Sequence, residues 1–97
     1  PYHGYYYRML YAQGPNANGG AKEYFEGGVL TGGFALVAWP ADYGSSGVMT
    51  FIVNQDGVVF QKDLGDDTAA TVDAMKSFDP DSSWTAVVPE DLEAAGS

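Results

Sequence analysis

Three short apolar runs separated by turn-forming residues constrain this chain more than any other feature of its sequence. The runs are Phe34–Trp39, Val48–Val53 and Val58–Phe60, and all three fall within Gly33–Lys62. Each is too short for a typical helix and is bounded by Gly, Pro, Asn, Asp or Ser, a pattern typical of β-strands. The segment Asn54–Gly57 has the composition of a tight turn, because its glycine readily adopts a positive φ.

The order of these runs predicts how the strands pair. Val48–Asn54 should form an antiparallel hairpin with Val58–Lys62. Phe34–Trp39 should join the same sheet across the longer loop Pro40–Gly47. Because proline cannot donate a hydrogen bond to a neighbouring strand, Pro40 should end the first of these strands. The expected scaffold is therefore a three-stranded antiparallel meander.

A further strand is expected near the start of the chain, where five of the seven tyrosines lie between Tyr2 and Ala12. Aromatic residues favour strands. If Tyr5–Ala12 is extended, one side carries Tyr5, Tyr7, Met9 and Tyr11, and the other carries Tyr6, Arg8 and Leu10. Two interpretations are open: large core-edge residues with hydroxyls in water, or a functional aromatic surface. One side should be buried and the other covered by a partner or a loop.

Downstream of Lys62 the sequence predicts one short helix and a final extended segment. The helix should run to about Ser77. Its cap would come from Asp66, Asp67 or Thr68. A helix of only about ten residues is stable only when it docks on a sheet. Thr85–Val88 is expected to be a last strand or an extended tail.

Charge and composition exclude several classes of function. Thirteen acidic residues against four basic ones give a net charge of −9, and most of it falls after residue 55. Such a chain repels phosphate backbones, so we expect no nucleic-acid binding. The absence of cysteine excludes disulfides and thiolate metal sites. No apolar run approaches the length of a bilayer span, so we expect no direct membrane insertion by this chain.

The length and composition predict one globular β-rich domain over residues 1–88, followed by an acidic tail at Pro89–Ser97. The chain starts at Pro1 without a methionine. We therefore expect a processed product or a fragment of a longer protein.

No catalytic, cofactor or metal site is expected. His3 is the single histidine, and no GxSxG motif is present to provide a nucleophile. Four residues follow the spacing of a calcium-binding loop: Asp79, Asp81, Ser83 and Glu90. Trp84 occupies the position at which such a loop needs glycine, so an ordinary turn is the favoured interpretation.

Long stretches of the chain resemble the C-terminal part of a bacterial family called domain of unknown function 2950. They are PYHGYYYRML at Pro1–Leu10, AQGP at Ala12–Pro15, GGFALVAWPADYG at Gly32–Gly44, GVMTFIVNQDGVVFQKDLG at Gly47–Gly65, and FDPDSSW at Phe78–Trp84. This resemblance implies that the protein lies in the bacterial envelope, extracellular or periplasmic. It implies no activity and no site residues.

A shorter pattern is similar to the globular heads of type IV pilin-like proteins. It comprises Gly4-Tyr5, Phe34, Ala38, Pro40, Gly44, Gly47, Phe51 and Gly57-Val58. The chain lacks the long apolar N-terminal helix by which pilins assemble. If it is a pilin head, that helix must come from removed sequence or from a separate N-terminal helical chain.

Together these observations predict an α+β, mainly β fold: an antiparallel meander of about four strands with one short helix packed on it, as in a pilin head. The expected function is that of a non-catalytic structural or interaction module. A more specific form of this expectation is a subunit of a pilus-like filament. The partner is a protein or a second copy. The candidate interface residues are Tyr5, Tyr7, Tyr11, Trp39 and Tyr43. The alternative is a ligand-binding or regulatory module that uses Trp39 and Tyr43 or the tyrosine strand.

Overall fold

The computed structural model describes residues 4–30 and 32–87, and most of its strands belong to one antiparallel sheet. In chain order the strands are β1 (Tyr5–Leu10), β2 (Ala12–Gln13), β3 (Lys22–Glu23), β4 (Phe25–Glu26), β5 (Val29–Leu30), β6 (Ala35–Pro40), β7 (Met49–Asn54), β8 (Val59–Asp63) and β9 (Thr85–Ala86). The main sheet has the order β1-β6-β7-β8-β9, while β2–β3 and β4–β5 form two small sheets. The mainly β prediction is confirmed, with five strands in the main sheet.

The predicted meander forms the centre of this sheet. Val37 in β6 pairs with Ile52 in β7, and Ile52 pairs in turn with Phe60 in β8. The turn between β7 and β8 closes as expected, because Gly57 has a φ of 78° and donates its N–H to the Asn54 carbonyl at 2.9 Å. The predicted hairpin is therefore confirmed, and the ends of its two strands differ from the prediction by at most one residue.

The outer strands of the sheet come from the two ends of the described chain. β1 lies beside β6, where Tyr5 pairs with Pro40, the last residue of β6. β1 ends at Leu10, and the extended chain resumes at Ala12 to pair with β3. β9 closes the other edge beside β8. The predicted Thr85–Val88 strand is thus confirmed for its first two residues.

The helical segment begins with a 3-10 turn at Gly65–Asp67 and continues as α1 (Thr68–Asp73). The prediction that the helix reaches Ser77 is wrong. The chain leaves the helix at Ala74 because the Phe78 backbone is needed elsewhere. Its N–H donates to the Ala12 carbonyl and its carbonyl accepts from the Gly14 N–H, both at 2.9 Å.

The cap of α1 also differs from the prediction. Asp67 occupies the cap position, but its side chain makes no capping hydrogen bond. The Thr68 hydroxyl donates instead to the Gly65 carbonyl at 2.6 Å. Helix formation here depends on docking rather than on a cap.

The hydrophobic core lies on one side of the main sheet, between the sheet and α1. Its buried members are Leu10, Ala17, Tyr24, Ala35, Val37, Ile52, Val72 and Phe78. Within the described residues, no helix is long and apolar enough to cross a membrane. His3, Val88 and the predicted tail Pro89–Ser97 lie outside the described residues.

Candidate functional site

The side of the sheet that faces away from α1 carries an apolar surface, which we call the outer face. Along β7 burial alternates strictly, and the residues directed away from α1 are only partly buried. The same parity continues across the register of the neighbouring strands. The outer face comprises Tyr5, Tyr7 and Met9 of β1, Leu36 and Ala38 of β6, Met49, Phe51 and Val53 of β7, and Val59, Gln61 and Asp63 of β8.

The composition of the outer face is unusual for an antiparallel sheet. When one side packs on the core, the other side is usually polar. Here Gln61 and Asp63 of β8 are polar, whereas every other member of the outer face is apolar or a tyrosine, and each member is only partly buried or exposed. Phe34, 45% exposed, extends the apolar surface beyond β6. Exposed apolar patches of this kind mark interaction sites.

The size of the outer face follows from strand geometry. With strands about 4.8 Å apart and a rise of about 3.4 Å per residue, four strands of about six residues give a flat area of roughly 400 Å². The largest apolar patch on a typical monomer measures about 300–600 Å² and is often functional. The outer face is therefore large enough to bind a partner, but small for a permanent complex.

Tyr5 is fixed in place at one end of the outer face. Its hydroxyl donates to the Met49 carbonyl at 2.9 Å, and its ring centroid lies 6.0 Å from that of Phe51. The ring packs so closely over Gly47 that no Cβ would fit there. Burial raises the pKa of the Tyr5 hydroxyl. Tyr5 thus presents a rigid aromatic surface rather than a mobile side chain.

Tyr7 and Tyr11 are the more exposed of the candidate tyrosines. Tyr7 lies in the middle of β1 on the outer face and is 51% exposed. Tyr11 lies beyond the end of β1, where its ring centroid is 5.1 Å from that of Phe25. Tyr11 therefore belongs to an aromatic pair beside the small sheets and not to the outer face.

Trp39 lies on the opposite side of the sheet from Tyr5 and Tyr7. Its ring centroid is 5.8 Å from that of Tyr6. Both rings line an open cavity of about 570 Å³ between the sheet and α1. At the cavity wall, Arg8 Nη2 donates to the Val72 carbonyl, at the end of α1, at 2.6 Å. Trp39 and the outer face therefore cannot contact one partner surface together.

Tyr43 lies in the loop between β6 and β7, at the margin of the outer face. Its hydroxyl donates to Asp63 Oδ1 at 2.6 Å, and the Gly65 N–H donates to the same oxygen at 2.9 Å. The bond to Asp63 raises the pKa of Tyr43. The bonds from Tyr43 and then Gly65 lower the pKa of Asp63. This pair fixes the loop against the end of β8.

The structure brings together residues that the sequence analysis did not single out. The centre of the outer face consists of Leu36, Phe51, Val53 and Val59 rather than of tyrosines. A signal for them was present in Val48–Val53, where Met49, Phe51 and Val53 are all apolar and Thr50 interrupts the other alternating set. Of the five predicted interface residues, the structure places only Tyr5 and Tyr7 together on the outer face.

In the acidic turn after Phe78, hydrogen bonds come from residues of the turn itself and from Lys62. Asp81 accepts hydrogen bonds from the Ser83 hydroxyl and N–H, which lower its pKa. Lys62 Nζ donates to the Ser83 hydroxyl at 2.7 Å. Across residues 4–30 and 32–87, no three His, Asp or Glu side chains gather as a metal site would require. Glu90, the last position of the calcium-like spacing, lies outside the described residues.

Comparison with known families gives one match. The model of a family described as "Protein of unknown function (DUF2950)" matches residues 1–87. No curated protein and no solved structure matches the chain. The similarity to pilin heads therefore rests on the sequence pattern alone.

Proposed function

The chain belongs to the DUF2950 family, and from this premise we propose that it is a non-catalytic structural module that associates with a second copy of itself through the outer face. The proposed setting is the bacterial envelope or the extracellular space. In the fuller version of the proposal, the chain is a subunit of a pilus-like filament. A separate N-terminal helical chain would then complete the assembly.

The observation that carries this proposal is that the outer face holds only one charged side chain on a strongly acidic molecule. Two copies that each carry a net charge of −9 repel one another, so a contact between them must avoid acidic surface. The outer face contains a single charged side chain, that of Asp63 at the end of β8. Asp63, at its margin, is already bonded to Tyr43 and to the Gly65 N–H. The face is thus the surface on which a second acidic copy meets least repulsion.

Sheet geometry supports a face-to-face arrangement. Two packed sheets lie about 10 Å apart with their strands rotated by about 30°. Stable protein interfaces bury about 800 Å² on each partner, whereas the flat outer face offers roughly half of that. We therefore expect weak association that depends on concentration, with exposed Phe34 enlarging the contact.

Sedimentation velocity from micromolar to millimolar protein tests this proposal. The wild-type chain should shift from monomer to dimer or larger species as concentration rises. Val53→Lys places a charge at the centre of the outer face and should remain monomeric. Thr71→Lys adds the same charge on the exposed side of α1 and should associate like the wild type. A wild-type chain that stays monomeric throughout would contradict the proposal.

The predicted tyrosine anchor gives a second test. Loss of an aromatic anchor weakens association by about 1–3 kcal/mol, so Tyr7→Ala should raise the dissociation constant about tenfold or more. Unchanged association of Tyr7→Ala would remove this tyrosine from the interface.

Electron microscopy of native material separates the two versions of the proposal. Long filaments support the filament subunit, whereas small discrete particles support only the dimer.

The alternative function, a ligand-binding or regulatory module, is favoured by the cavity beside Trp39. This cavity of about 570 Å³ is lined by Tyr6, Arg8 and Trp39 and by residues of α1 that include Asp73, and its size suits a small ligand. Anilinonaphthalene sulfonate provides a probe. If binding of the dye is lost in Trp39→Ala and kept in Val53→Lys, the cavity is the ligand site. The reverse pattern would locate the dye on the outer face and reject the alternative.

A further inference from the structure

A second cavity lies on the core side of the sheet, away from the outer face. Its volume is about 380 Å³, and it lies between the loop after β2, the turn after β7 and the segment that follows Phe78. The sequence contains three asparagines, Asn16, Asn18 and Asn54, and all three line this cavity. They come from distant parts of the chain, so the fold alone brings their amides together.

The loop that carries Asn16 and Asn18 is held by a hydrogen-bond network that does not use their side chains. Gln13 Nε2 donates to the Asn18 carbonyl at 3.0 Å and to the Gly20 carbonyl at 2.7 Å. The buried Tyr24 hydroxyl donates to Gln13 Oε1 at 2.9 Å. The loop is therefore preorganised beside the cavity, which reduces the entropy lost when a ligand binds.

Asn54 is 3% exposed and holds a donor that lacks an acceptor. Its Oδ1 accepts from the Asp56 N–H at 3.1 Å, which orients the amide. Its buried Nδ2 makes no hydrogen bond to any described residue. Burial raises the pKa of the nearby Tyr24 hydroxyl, and the Asn54 amide lowers that pKa by a smaller amount. Buried donors without acceptors are rare in folded proteins. A ligand oxygen at the cavity wall would supply the missing acceptor.

The charge and apolar lining of the cavity narrow the class of ligand. Among the described residues that line the cavity, Asp56 is the one ionisable residue, and none of these residues is Lys, Arg or His. An anion would therefore meet a carboxylate with no compensating cation. One carboxylate is too few for a hard cation such as Ca²⁺, which takes six to eight oxygen ligands. Val58, Phe60 and Pro80 add an apolar side.

We propose that this cavity binds a neutral sugar. Hydroxyl groups both donate and accept hydrogen bonds, as asparagine amides do, while the C–H face of a sugar ring suits an apolar wall. The ring would pack against Val58 and Phe60. Its oxygens would face Asn16, Asn18 and, after a small rotation of its amide, Asn54. The volume lies at the lower end of the roughly 300–1,000 Å³ of small-molecule sites, which suits one ring rather than a long chain.

Titration of the full isotope-labelled chain with N-acetylglucosamine and with glucose, followed by amide chemical shifts, tests the proposal. At least one sugar should give saturable shifts at millimolar concentration, centred on the loop after β2 and the turn after β7. Glucuronate adds a carboxylate to the same ring and should bind about tenfold more weakly because of Asp56. Asp56→Asn should remove that difference.

Two asparagine variants test the amides. Asn54→Asp keeps the acceptor for the Asp56 N–H and removes the donor, so affinity should fall about tenfold or more. Because this variant places a carboxylate in a buried position and can unfold the chain, Asn18→Ala is the second test. Asn18 is exposed, and its contact with Gln13 uses the backbone carbonyl, which alanine keeps. Gln61→Ala, on the far side of the sheet, is the control and should bind like the wild type.

The outcomes separate cleanly. Saturable shifts at the cavity that are weakened by Asn18→Ala and kept in Gln61→Ala support the sugar site. Absence of saturable shifts with both neutral sugars would overturn the proposal. Shifts centred on Trp39 or on the outer face would also overturn it, because the sugar would then bind elsewhere.

Discussion

Arg8 links β1 to the end of α1, and its replacement gives the most direct test of how the helix is held on the sheet. Its Nη2 atom donates to the Val72 carbonyl at 2.6 Å and to the Met75 carbonyl at 2.8 Å. The Val72 carbonyl lies at the end of α1 and also accepts from the Met75 N–H at 3.0 Å, whereas the Met75 carbonyl lies just beyond the helix. A cation at this end also interacts favourably with the helix dipole. We predict that Arg8→Met loosens the docking of α1.

The expected magnitude follows from these two bonds. A hydrogen bond to a charged group contributes about 1.5–3 kcal/mol. The two bonds share one nitrogen atom, and Arg8 is only partly buried, so we count the pair as a single bond in the upper part of this range. Arg8→Met keeps most of the aliphatic stem and should reduce the free energy of unfolding by about 2–3 kcal/mol. That is a large share of the roughly 5–15 kcal/mol of a typical domain.

Urea unfolding followed by far-ultraviolet circular dichroism and by tryptophan fluorescence measures this loss. Lys76→Met removes an exposed cation near the same end of α1 and should change stability by less than about 0.5 kcal/mol. Arg8→Lys should be intermediate, because a lysine ammonium does not reproduce the fixed donor geometry of the guanidinium. If Arg8→Met unfolds at the wild-type urea concentration, the two bonds do not hold the helix.

Three further predictions concern local contacts. Tyr43→Phe should raise the pKa of Asp63 toward its ordinary value, as measured by an NMR pH titration. Because the pKa of Asp63 is lowered in the folded wild type, the hydrogen bond from Tyr43 stabilises the fold at pH values above the pKa of Asp63 in the unfolded chain. This stabilisation is lost as the pH falls through the pKa of Asp63 in the folded chain. An unchanged Asp63 titration in Tyr43→Phe would refute this prediction. Gly14→Ala should destabilise the chain by about 1–3 kcal/mol, since its Cβ would collide with the Asp79 carboxylate. A melting temperature equal to that of the wild type would show that Asp79 moves aside at no cost. Gly57→Ala should cost about 1–2 kcal/mol, because φ is 78° at this position. Calorimetry should then record a melting temperature at least about 4–8 °C lower, and an unaltered melt would contradict the turn geometry.

The central strands and their hairpin follow from local sequence. The turn after β7 needs a residue with positive φ, and Gly57 provides it next to two short apolar runs. Strand parity is equally local, because successive side chains point to opposite sides of a sheet. The sequence alone therefore identified which tyrosines of β1 share a side, and that Phe34–Trp39 joins the hairpin.

The end of the helix depended on a contact distant in sequence. Local signals permitted a helix to Ser77, but α1 stops at Asp73. Phe78 must adopt an extended backbone to bond with Ala12 and Gly14, far away in the chain. Propensity is a weak determinant of a short helix, and tertiary hydrogen bonds decide where it ends.

Tertiary structure also decided which surface remains open. The run of β6 is apolar on both sides, and in β7 the side that becomes buried carries Thr50 and Asn54 beside Ile52, so parity cannot tell which side becomes the core. Docking of α1 through Val72 and Arg8 buries one side and leaves Phe51 and Val53 on the outer face. The register of β1 on β6 places Trp39 and Tyr5 on opposite sides of the sheet. Local sequence thus determined the strands and their pairing, while long-range packing determined which of their two sides faces the solvent.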